Sequence, residues 1–377
     1  GRRFTAYGWI LYTDYYSTAP RANQLYQSMS HSILLVADPY LPVPPTHYGG
    51  IERIVAMLAE GLQKQGFRVT LICNPDSTCP VKIVPLQHAT THVVSRMRNA
   101  AAIACEVING GYDIIHSFAH YDLTASFWPT KRNQIQSFQA PPHPGALAKR
   151  MRYIPRRNLW LTTCGHHMVE DFRDLAPTRG IHNGVKVEEF TLRNPVDEDA
   201  PLVFLGRIEP IKGTHHAIHI ARETGRRLII AGNLSDNELS RGYFAREIKP
   251  HLSERIKFIG PVNDVQKNQL LGSAAAFLMP IEWDEPFGIV MAEALACGTP
   301  VIGTSRGALP EIVDHGITGA CCSDIREMIE AVRNVAGFSR SACRRSAETR
   351  FSSDVIVAQY VAFYQEILSS ETKKPTR

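Results

Sequence analysis

The sequence predicts an α/β protein with two domains, each built on a parallel β-sheet that helices cover on both faces. Short apolar segments alternate regularly with helical segments, which is typical of βαβ units. A polar, proline-bearing stretch without periodicity occupies residues 193–201 and suits a linker between two such series. The length of 377 residues, with 44% hydrophobic content, is enough to bury two ordinary cores.

The first series of elements begins at Ser32, where the apolar segment SILLVA predicts a strand. The next segment, GIERIVAMLAEGLQKQG, has apolar residues at helical spacing from Ile51 to Leu62 and predicts a helix that ends at Gly66. RVTLIC predicts the second strand. A helix around residues 95–109, strands at DIIHSF and LWLTTC, and the segment IHNGV then complete the first half.

The second series repeats this alternation after the linker. Its predicted strands are LVFLG, RLIIAG, IKFIG, AAFLMP and PVIGT, and its predicted helices run from about Thr214, near 265–273, at 287–297 and near 325–336. Open α/β sheets bind ligands beyond the carboxyl ends of their strands. We therefore expect the functional site in the cleft between the two halves.

The predicted domain limits follow from these patterns. Residues 1–28 precede the first convincing strand and are interpreted as a tag or extension, with an ordered amphipathic arm as the alternative. Residues 29–195 form the N-terminal domain and residues 196–354 the C-terminal domain. Residues 355–377 form a final helical segment.

Composition argues against several classes of protein. A net charge of +5 is modest for this length, and we expect no nucleic-acid partner. The apolar runs are shorter than the roughly 18–20 residues of a membrane span. Eight scattered cysteines without CxxC pairs indicate reduced thiols, a cytoplasmic protein and no zinc site. The basic stretch AKRMRYIPRR is read as a solvated face, with an anionic acceptor or peripheral contact with the inner membrane face as alternatives.

The stretch WDEPFGIVMAEALACGTPV holds two acids, Glu285 and Glu293, in an otherwise apolar segment. A helix beginning near Phe287 would direct the amides of Gly288 and Ile289 toward the carboxyl end of the preceding strand, where they could bind an anion. A capping acid plus a solvent-facing acid is the alternative. Because apolar residues flank Glu293, we expect its carboxylate to be buried and to need partners such as sugar hydroxyls.

Two further motifs suit phosphate groups. In FLGRIEPIKG, Arg207 and Lys212 lie at the carboxyl end of a strand beside a helix start, which suits a diphosphate, although surface charges are the alternative. In THYGGIERIV, Gly49 and Gly50 separate the first strand from its helix. Glycines there let the backbone approach a phosphate closely, although a plain turn is the alternative.

Taken together, these motifs resemble those of the retaining glycosyltransferases of family 4, which have the GT-B fold of two Rossmann-like domains. The family's glutamate pair matches Glu285 and Glu293, and its arginine and lysine match Arg207 and Lys212. Its glycine pair matches Gly49 and Gly50, and the segments IHNGVKVEEF and RGALPEIVDHGITG also fit. The resemblance extends from about Ser32 to the C-terminus. It implies that the last helix crosses back to pack on the first domain, which faces the acceptor.

The resemblance implies a metal-independent hexosyltransferase without a cofactor, whose donor is a nucleotide diphosphate sugar of the UDP or GDP type. Glu293 would bind the ribose, and Glu285 would contact the donor sugar together with the backbone of Phe287, Gly288 and Ile289. Arg207, Lys212 and the Gly50 amide would neutralise the leaving diphosphate. The acceptor would be a carbohydrate or another hydroxyl compound, and the anomeric configuration would be kept.

The chain departs from the family at one histidine. Members often carry a second histidine two positions after the first, whereas DIIHSFAH has Phe118 there. Both His116 and His120 are therefore candidates for a contact with the donor sugar. Because His120 lies beyond the expected strand end, we take it as the candidate catalytic residue and expect His116 to be hydrogen-bonded inside the first domain.

Other functions stay open on the same motifs. A sugar-nucleotide epimerase or an α-glucan-type phosphorylase on this fold is the enzymatic alternative. From a different class, a nucleotide-sugar sensor or an inactive partner subunit would keep the donor motifs and lose catalysis, and Phe118 is the feature that favours it.

Overall fold

A computed structural model describes residues 31–46, 49–89, 92–140, 154 and 157–372 of the chain, with side chains described as far as Ser370. The predicted extension, residues 1–28, and most of the basic stretch AKRMRYIPRR lie outside the described residues.

Strands and helices are numbered here in chain order. The strands β1–β13 are Ser32–Val36, Arg68–Cys73, Lys82–Pro85, Ile114–Ser117, Asn133–Phe138, Leu159–Thr163, Thr178–Gly180, Leu202–Leu205, Leu228–Ala231, Ile256–Phe258, Ala276–Met279, Val301–Thr304 and Gly319–Cys322. The α-helices α1–α12 are Gly50–Lys64, Val93–Asn109, Tyr121–Thr124, Val169–Phe172, Thr214–Thr224, Glu238–Tyr243, Asp264–Gly272, Ile289–Ala296, Leu309–Ile312, Ile325–Arg333, Arg340–Ser346 and Ser353–Thr372.

The strands form two parallel sheets. The first has seven strands in the order β3-β2-β1-β4-β5-β6-β7, and the second has six in the order β10-β9-β8-β11-β12-β13. In each sheet the order reverses direction beside the first strand, which leaves a crevice at the carboxyl ends of the central strands. Strands buried on both faces explain near-continuous apolar runs such as SILLV in β1 and AFLM in β11.

The chain crosses between the two sheets twice, and the crossings are hydrogen-bonded to each other. The first crossing lies between β7 and β8, and the second precedes α12. The Val185 N–H donates to the Phe351 carbonyl at 2.8 Å, and the Ser353 N–H donates to the Val185 carbonyl at 2.9 Å. The two crossings therefore form a compact hinge, and the predicted domain limit at residues 195 and 196 falls within the first of them.

The last helix, α12, packs on the first domain, as expected from the sequence. Its buried residues Ile356, Tyr360 and Tyr364 share one hydrophobic cluster with Ile33 of β1 and Leu58 of α1. Among the described residues, none of the helices has the length and apolar character needed to cross a membrane. The eight cysteines are all free.

Several predicted elements differ from the structure. The strands β3, β5, β7 and β13 were not predicted. β5 lacks a continuous apolar pattern because it carries Gln134 and Gln136, which are buried and donate to the backbone carbonyls of Trp128 and Ala119. The segment IHNGV follows β7 as a loop. The helix predicted from residue 287 begins at Ile289, because Gly288 caps it with a left-handed φ of 70°.

Candidate active site

A cavity of about 640 Å³ lies in the cleft between the two sheets. The first domain contributes the start of α1, and the second contributes the loops after β8, β9 and β10 with the starts of α7 and α8. The lining residues are Gly49, Gly50, Arg53, Leu205, Gly206, Arg207, Gly232, Asn233, Pro261, Val262, Asn263, Asp264, Gln266, Lys267, Ile289, Val290 and Glu293. The cavity therefore lies where the sequence predicted the site, and its wall includes five of the candidate residues.

Glu293 is the most unusual group in the cavity wall. Glu293 is only 3% exposed, and its Oε1 pairs with Lys267 Nζ at 2.5 Å. Burial raises the pKa of the Glu293 carboxyl, and the Lys267 ammonium opposes that effect. Its Oε2 is buried and has no hydrogen-bond partner among the residues that the structure describes. A buried acceptor without a partner is costly, and a ligand donor would remove that cost.

Lys267 belongs to a series of ion pairs that extends to the first domain. Its Nζ lies 3.2 Å from Asp264 Oδ1, and Asp264 Oδ2 accepts from Arg53 Nη1 at 3.0 Å. Arg53 lies on α1, whereas Asp264 and Lys267 lie on α7, so the Arg53–Asp264 ion pair joins the two domains at the cavity. None of these three residues was predicted from the sequence, although Lys267 and Asp264 follow the predicted strand IKFIG by only a few positions.

Glu285 and Lys212 lie together beside the start of α8. Lys212 Nζ is 2.6 Å from Glu285 Oε2, which also accepts from Trp283 Nε1 at 3.0 Å. The Lys212 ammonium lies 4.6 Å from the Trp283 ring centroid. Glu285 is 9% exposed. The structure thus brings together two residues that the sequence placed in separate motifs, 73 positions apart.

Arg207 lies on the cavity wall after β8, with its side chain 40% exposed and its Nη1 3.1 Å from Glu209 Oε1. The neighbouring backbone is tightly packed, because a Cβ on Gly232 would lie 1.7 Å from the Gly206 carbonyl oxygen. Only glycine fits at residue 232. This close approach brings together the loops after β8 and β9, which both line the cavity beside Arg207.

The glycine pair after β1 lines the cavity from the first domain. Gly49 has a φ of 156°, and a Cβ there would lie 2.7 Å from Pro45 Cβ. Gly50 is the first residue of α1, and nothing lies within 4 Å of its ideal Cβ position. The Gly50 backbone therefore borders open space, as a contact with a phosphate requires.

The three residues at the start of α8 have different environments. Ile289 lines the cavity, and Gly288 is the capping residue of the helix. The Phe287 side chain is 2% exposed and packs 5.9 Å, between ring centroids, from Phe351 in the hinge. Because the Phe287 side chain is buried, only its backbone could contact a ligand.

His116 lies in the core of the first domain. It is fully buried, with Nδ1 2.6 Å from the Tyr364 hydroxyl and Nε2 2.7 Å from Ser137 Oγ, and its ring lies 4.4 Å from that of Phe118. Burial lowers the pKa of His116 to about 3, so the ring is neutral. Because both ring nitrogens have protein partners, this geometry agrees with the expected internal hydrogen bonds and argues against a donor-sugar contact.

His120 follows β4 and is exposed, with Nδ1 2.6 Å from Asp122 Oδ1. Its backbone N–H donates to Asp38 Oδ1 at 3.1 Å, and burial raises the pKa of the Asp38 carboxyl to about 6. His120 borders a separate small cavity shared with Tyr40 and Arg96 rather than the wall of the large one. Its assignment as the catalytic histidine stays a prediction.

Two groups of side chains in the described part of the chain bring potential metal ligands within 4.8 Å of one another. They are His166, His182 and Glu311 in one group, and His215, His216 and Glu282 in the other. In both groups an imidazole nitrogen already pairs with the carboxylate at 2.8 Å. Neither group lines the large cavity. The metal independence expected from the sequence stays a prediction.

Comparison with known proteins places the chain in a family. Residues 48–189 match the family model described as Glycosyltransferase Family 4, and residues 186–339 match that described as Glycosyl transferases group 1. The two models together span most of both domains. They include every candidate residue of the site.

Curated relatives and solved structures agree with this match. The glycogen synthase of Mycobacterium tuberculosis is 28% identical over 386 residues, covering 85% of this chain and 90% of that protein. The D-inositol 3-phosphate glycosyltransferase of Mycobacterium bovis is 31% identical over 206 residues, covering 48% of this chain and 42% of that protein.

Among solved structures, AviGT4, a glycosyltransferase involved in avilamycin A biosynthesis, has a TM-score of 0.66 and 25% identity and covers 90% of this chain and 98% of its own. Sucrose-phosphate synthase from Thermosynechococcus elongatus has a TM-score of 0.74 at 18% identity, covering 90% and 100%. HepE from Anabaena, solved with UDP and glucose, has a TM-score of 0.71 at 16% identity, covering 89% and 100%. The chain belongs to glycosyltransferase family 4 and is a glycosyltransferase with the GT-B fold.

Proposed function

We propose that the protein is a retaining glycosyltransferase that moves a hexose-type sugar from a nucleotide diphosphate sugar to a hydroxyl acceptor, without a metal ion or a cofactor. The observation that carries this proposal is Glu293 Oε2, a buried carboxylate oxygen without a partner among the described residues, in the wall of the cavity. A carboxylate oxygen is an acceptor only, so the missing partner is a donor.

A ribose supplies the donor that Glu293 lacks. Two adjacent ribose hydroxyls can donate to one carboxylate, and hydrogen bonds to an ionised acceptor are stronger than neutral ones. Lys267 holds Oε1 at 2.5 Å, which leaves Oε2 for the ligand. We therefore place the nucleoside between α7 and α8, with the base toward Pro261 and Val262.

The diphosphate then lies toward Arg207, Lys212 and the Gly50 backbone. Each of these two cations is paired with a glutamate, Arg207 with Glu209 and Lys212 with Glu285. Negative charge on the diphosphate grows as the bond to the sugar breaks, and preorganised cations stabilise that charge most strongly in the transition state. These cations and the amides at the start of α8 would stabilise the diphosphate charge, as a metal ion does in other transferases.

The chemical step follows from these positions. The bond between the anomeric carbon and the diphosphate oxygen breaks, and the acceptor oxygen forms a bond to the same face of that carbon. The acceptor proton passes to the departing phosphate oxygen. Glu285, paired with Lys212, lies beside the start of α8, where it would contact the hydroxyls of the donor sugar.

Solved structures of similar proteins suggest which nucleotide bases to test in the donor. HepE was solved with UDP and glucose, and a starch synthase of Arabidopsis thaliana was solved with ADP and acarbose. UDP-sugars and ADP-sugars should therefore be tested together with GDP-sugars. The second candidate function, a nucleotide-sugar sensor, is favoured by Phe118 and by the position of His120 outside the wall of the large cavity.

The proposal is tested by thermal shift with UDP-, ADP- and GDP-glucose, UDP-galactose and GDP-mannose, followed by donor-hydrolysis assays. A matching donor at 100 times its Kd should stabilise the fold by about 2.7 kcal/mol. At the same concentration, the donor should stabilise Glu293→Gln clearly less than the wild type, by only about 1.4 kcal/mol for a 10-fold loss of affinity, whereas Glu330→Gln, at an exposed surface ion pair, should show the full shift. A shift with one of these nucleotide sugars but no hydrolysis or transfer would favour the sensor. No shift with any nucleotide would contradict the proposal.

A further inference from the structure

We propose that Glu311 is a positioning residue for the transfer reaction: its carboxylate, carried by the second domain, docks on the first domain and holds the donor loop, residues 284–288, in its active arrangement. This inference rests on the proposed function and adds a residue that lies outside the donor cavity.

Among the described residues, only groups of the first domain form hydrogen bonds with the Glu311 carboxylate. Oε2 accepts from the His166 backbone N–H at 2.8 Å and lies 2.8 Å from His182 Nε2. Oε1 accepts from the His167 backbone N–H at 2.7 Å and lies 2.9 Å from His167 Nδ1. His166 and His167 begin a short 3₁₀ turn after β6, while Glu311 lies on α9. Four contacts therefore join one side chain to the opposite domain.

These contacts hold the carboxylate in its charged form. Burial alone would raise the pKa of Glu311, but the hydrogen bonds from His182 and from the His166 and His167 turn outweigh it and bring the pKa to about 2. Among the described residues, no lysine or arginine forms an ion pair with this carboxylate. The backbone amides and imidazoles of the first domain thus replace its hydration, which they can do only while the domains are in contact.

The segment that carries Glu311 also supports the donor loop. The Ala308 N–H donates to the Glu285 carbonyl at 2.9 Å. A Cβ on Gly307 would lie 2.3 Å from both the Glu285 nitrogen and oxygen, so the two backbones are in close contact. The docking of Glu311 therefore fixes a segment that packs directly on the backbone of a residue proposed to contact the donor sugar.

The first domain contacts the donor loop from the other side. A Cβ on Gly165 would lie 2.5 Å from the Pro286 carbonyl oxygen, and the His182 ring lies 5.7 Å from that of Phe287. Gly165 directly precedes the turn that binds Glu311. The donor loop is therefore enclosed between Gly307 and Gly165, and Glu311 connects the two walls.

The position of this contact separates its effect from nucleotide binding. The ribose and diphosphate contacts that we propose with side chains, at Glu293, Arg207 and Lys212, all lie in the second domain, and the first domain adds only the Gly50 backbone. Loss of the Glu311 contact would leave these groups in place and release the first-domain wall from the donor loop. Turnover should then fall with little change in nucleotide affinity.

Glu311→Gln and His182→Gln are the test variants, and Glu330→Gln is the control. For the two test variants we expect the kcat to fall about 10-fold or more, as loss of charge-assisted hydrogen bonds predicts. The Kd of the free nucleotide diphosphate, measured by calorimetry, should stay within about threefold of the wild type. Unchanged kcat, or parallel loss of nucleotide binding, would overturn the inference.

Domain closure gives a readout that does not depend on activity. Small-angle scattering should show a larger radius of gyration for Glu311→Gln than for the wild type and Glu330→Gln, at equal helix content by circular dichroism. An unchanged radius would contradict the docking role. If the wild type transferred no sugar but the radius still increased in Glu311→Gln, the proposed function would fail while the docking role would stand.

Discussion

At the scale of single residues, the two acids of the stretch WDEPFGIVMAEALACGTPV have different partners although they lie on the same short segment. Glu285 is paired with Lys212 and Trp283, whereas Glu293 is paired with Lys267 and retains one oxygen without a described partner. Both glutamates were predicted as site residues from their residue type and their spacing in the sequence. Which cation reaches which acid could not be predicted, because Lys212 and Lys267 come from other elements.

The two histidines near Phe118 should respond differently to substitution. His116→Ala removes two buried hydrogen bonds and should lower the melting temperature strongly. His120 is exposed, so His120→Ala should leave the melting temperature nearly unchanged and, if it contacts the donor sugar, lower kcat by about 10²-fold. Normal kcat in a folded His120→Ala protein would remove it from the reaction.

Asp38 beside His120 gives a pH-dependent prediction. Burial raises its pKa from 3.8 to about 6, so the folded state binds the proton more tightly than the unfolded state. Stability should therefore fall as the pH rises from about 4 through 6. At 1.36 kcal/mol per pKa unit, the cost above pH 6 is at most about 3 kcal/mol.

Asp38→Asn keeps an oxygen acceptor for the His120 N–H and removes this cost. Chemical denaturation should show the variant to be more stable than the wild type at pH 8 and about equal to it at pH 4. Asp236→Asn, at a position that is 95% exposed, is the control. A stability difference that is the same at both pH values would refute the assignment.

At the scale of elements, apolar strands and amphipathic helices were predicted well and polar or short ones were not. The helix α1 and strands β1, β2, β8 and β11 lie within a residue or two of their predicted limits. The strand β5 was missed because Gln134 and Gln136 are polar residues that the fold buries, and their side-chain N–H groups donate to carbonyls such as those of Thr130 and Ala119. Tertiary contacts there override the local preference of the residues.

The helices α7 and α8 show the same limit at the site. The apolar sequence of α8 and Gly288 indicated its start to within two residues. The polar helix α7 was predicted as an element, and it begins with a capping box formed by Asn263 and Gln266. Its role in holding Glu293 through Lys267 depends on the packing of α7 against α8, which no local pattern encodes.

At the scale of the whole molecule, the site is formed by two domains that meet around a hinge. The first domain contributes Gly49, Gly50 and Arg53 to the cavity, and the second contributes the groups that bind ribose and diphosphate in our proposal. The alternation of apolar and helical segments predicted both domains, and the resemblance of the motifs predicted the return of α12. The contacts that join the domains, Arg53 with Asp264 and Glu311 with the His166 and His167 turn, were not predicted, because they depend on how the domains dock.

The central claim is that Glu293 binds the ribose of the donor, and calorimetry with modified nucleotides tests it most directly. The diphosphate that binds most tightly is compared with its 2′,3′-dideoxy analogue, in the wild type and in Glu293→Ala. We predict that the wild type binds the analogue at least about 10-fold more weakly, because it lacks the hydroxyls that satisfy Oε2, and that Glu293→Ala binds both nucleotides about equally. Equal wild-type affinity for the two nucleotides, or unchanged discrimination in Glu293→Ala, would contradict this account.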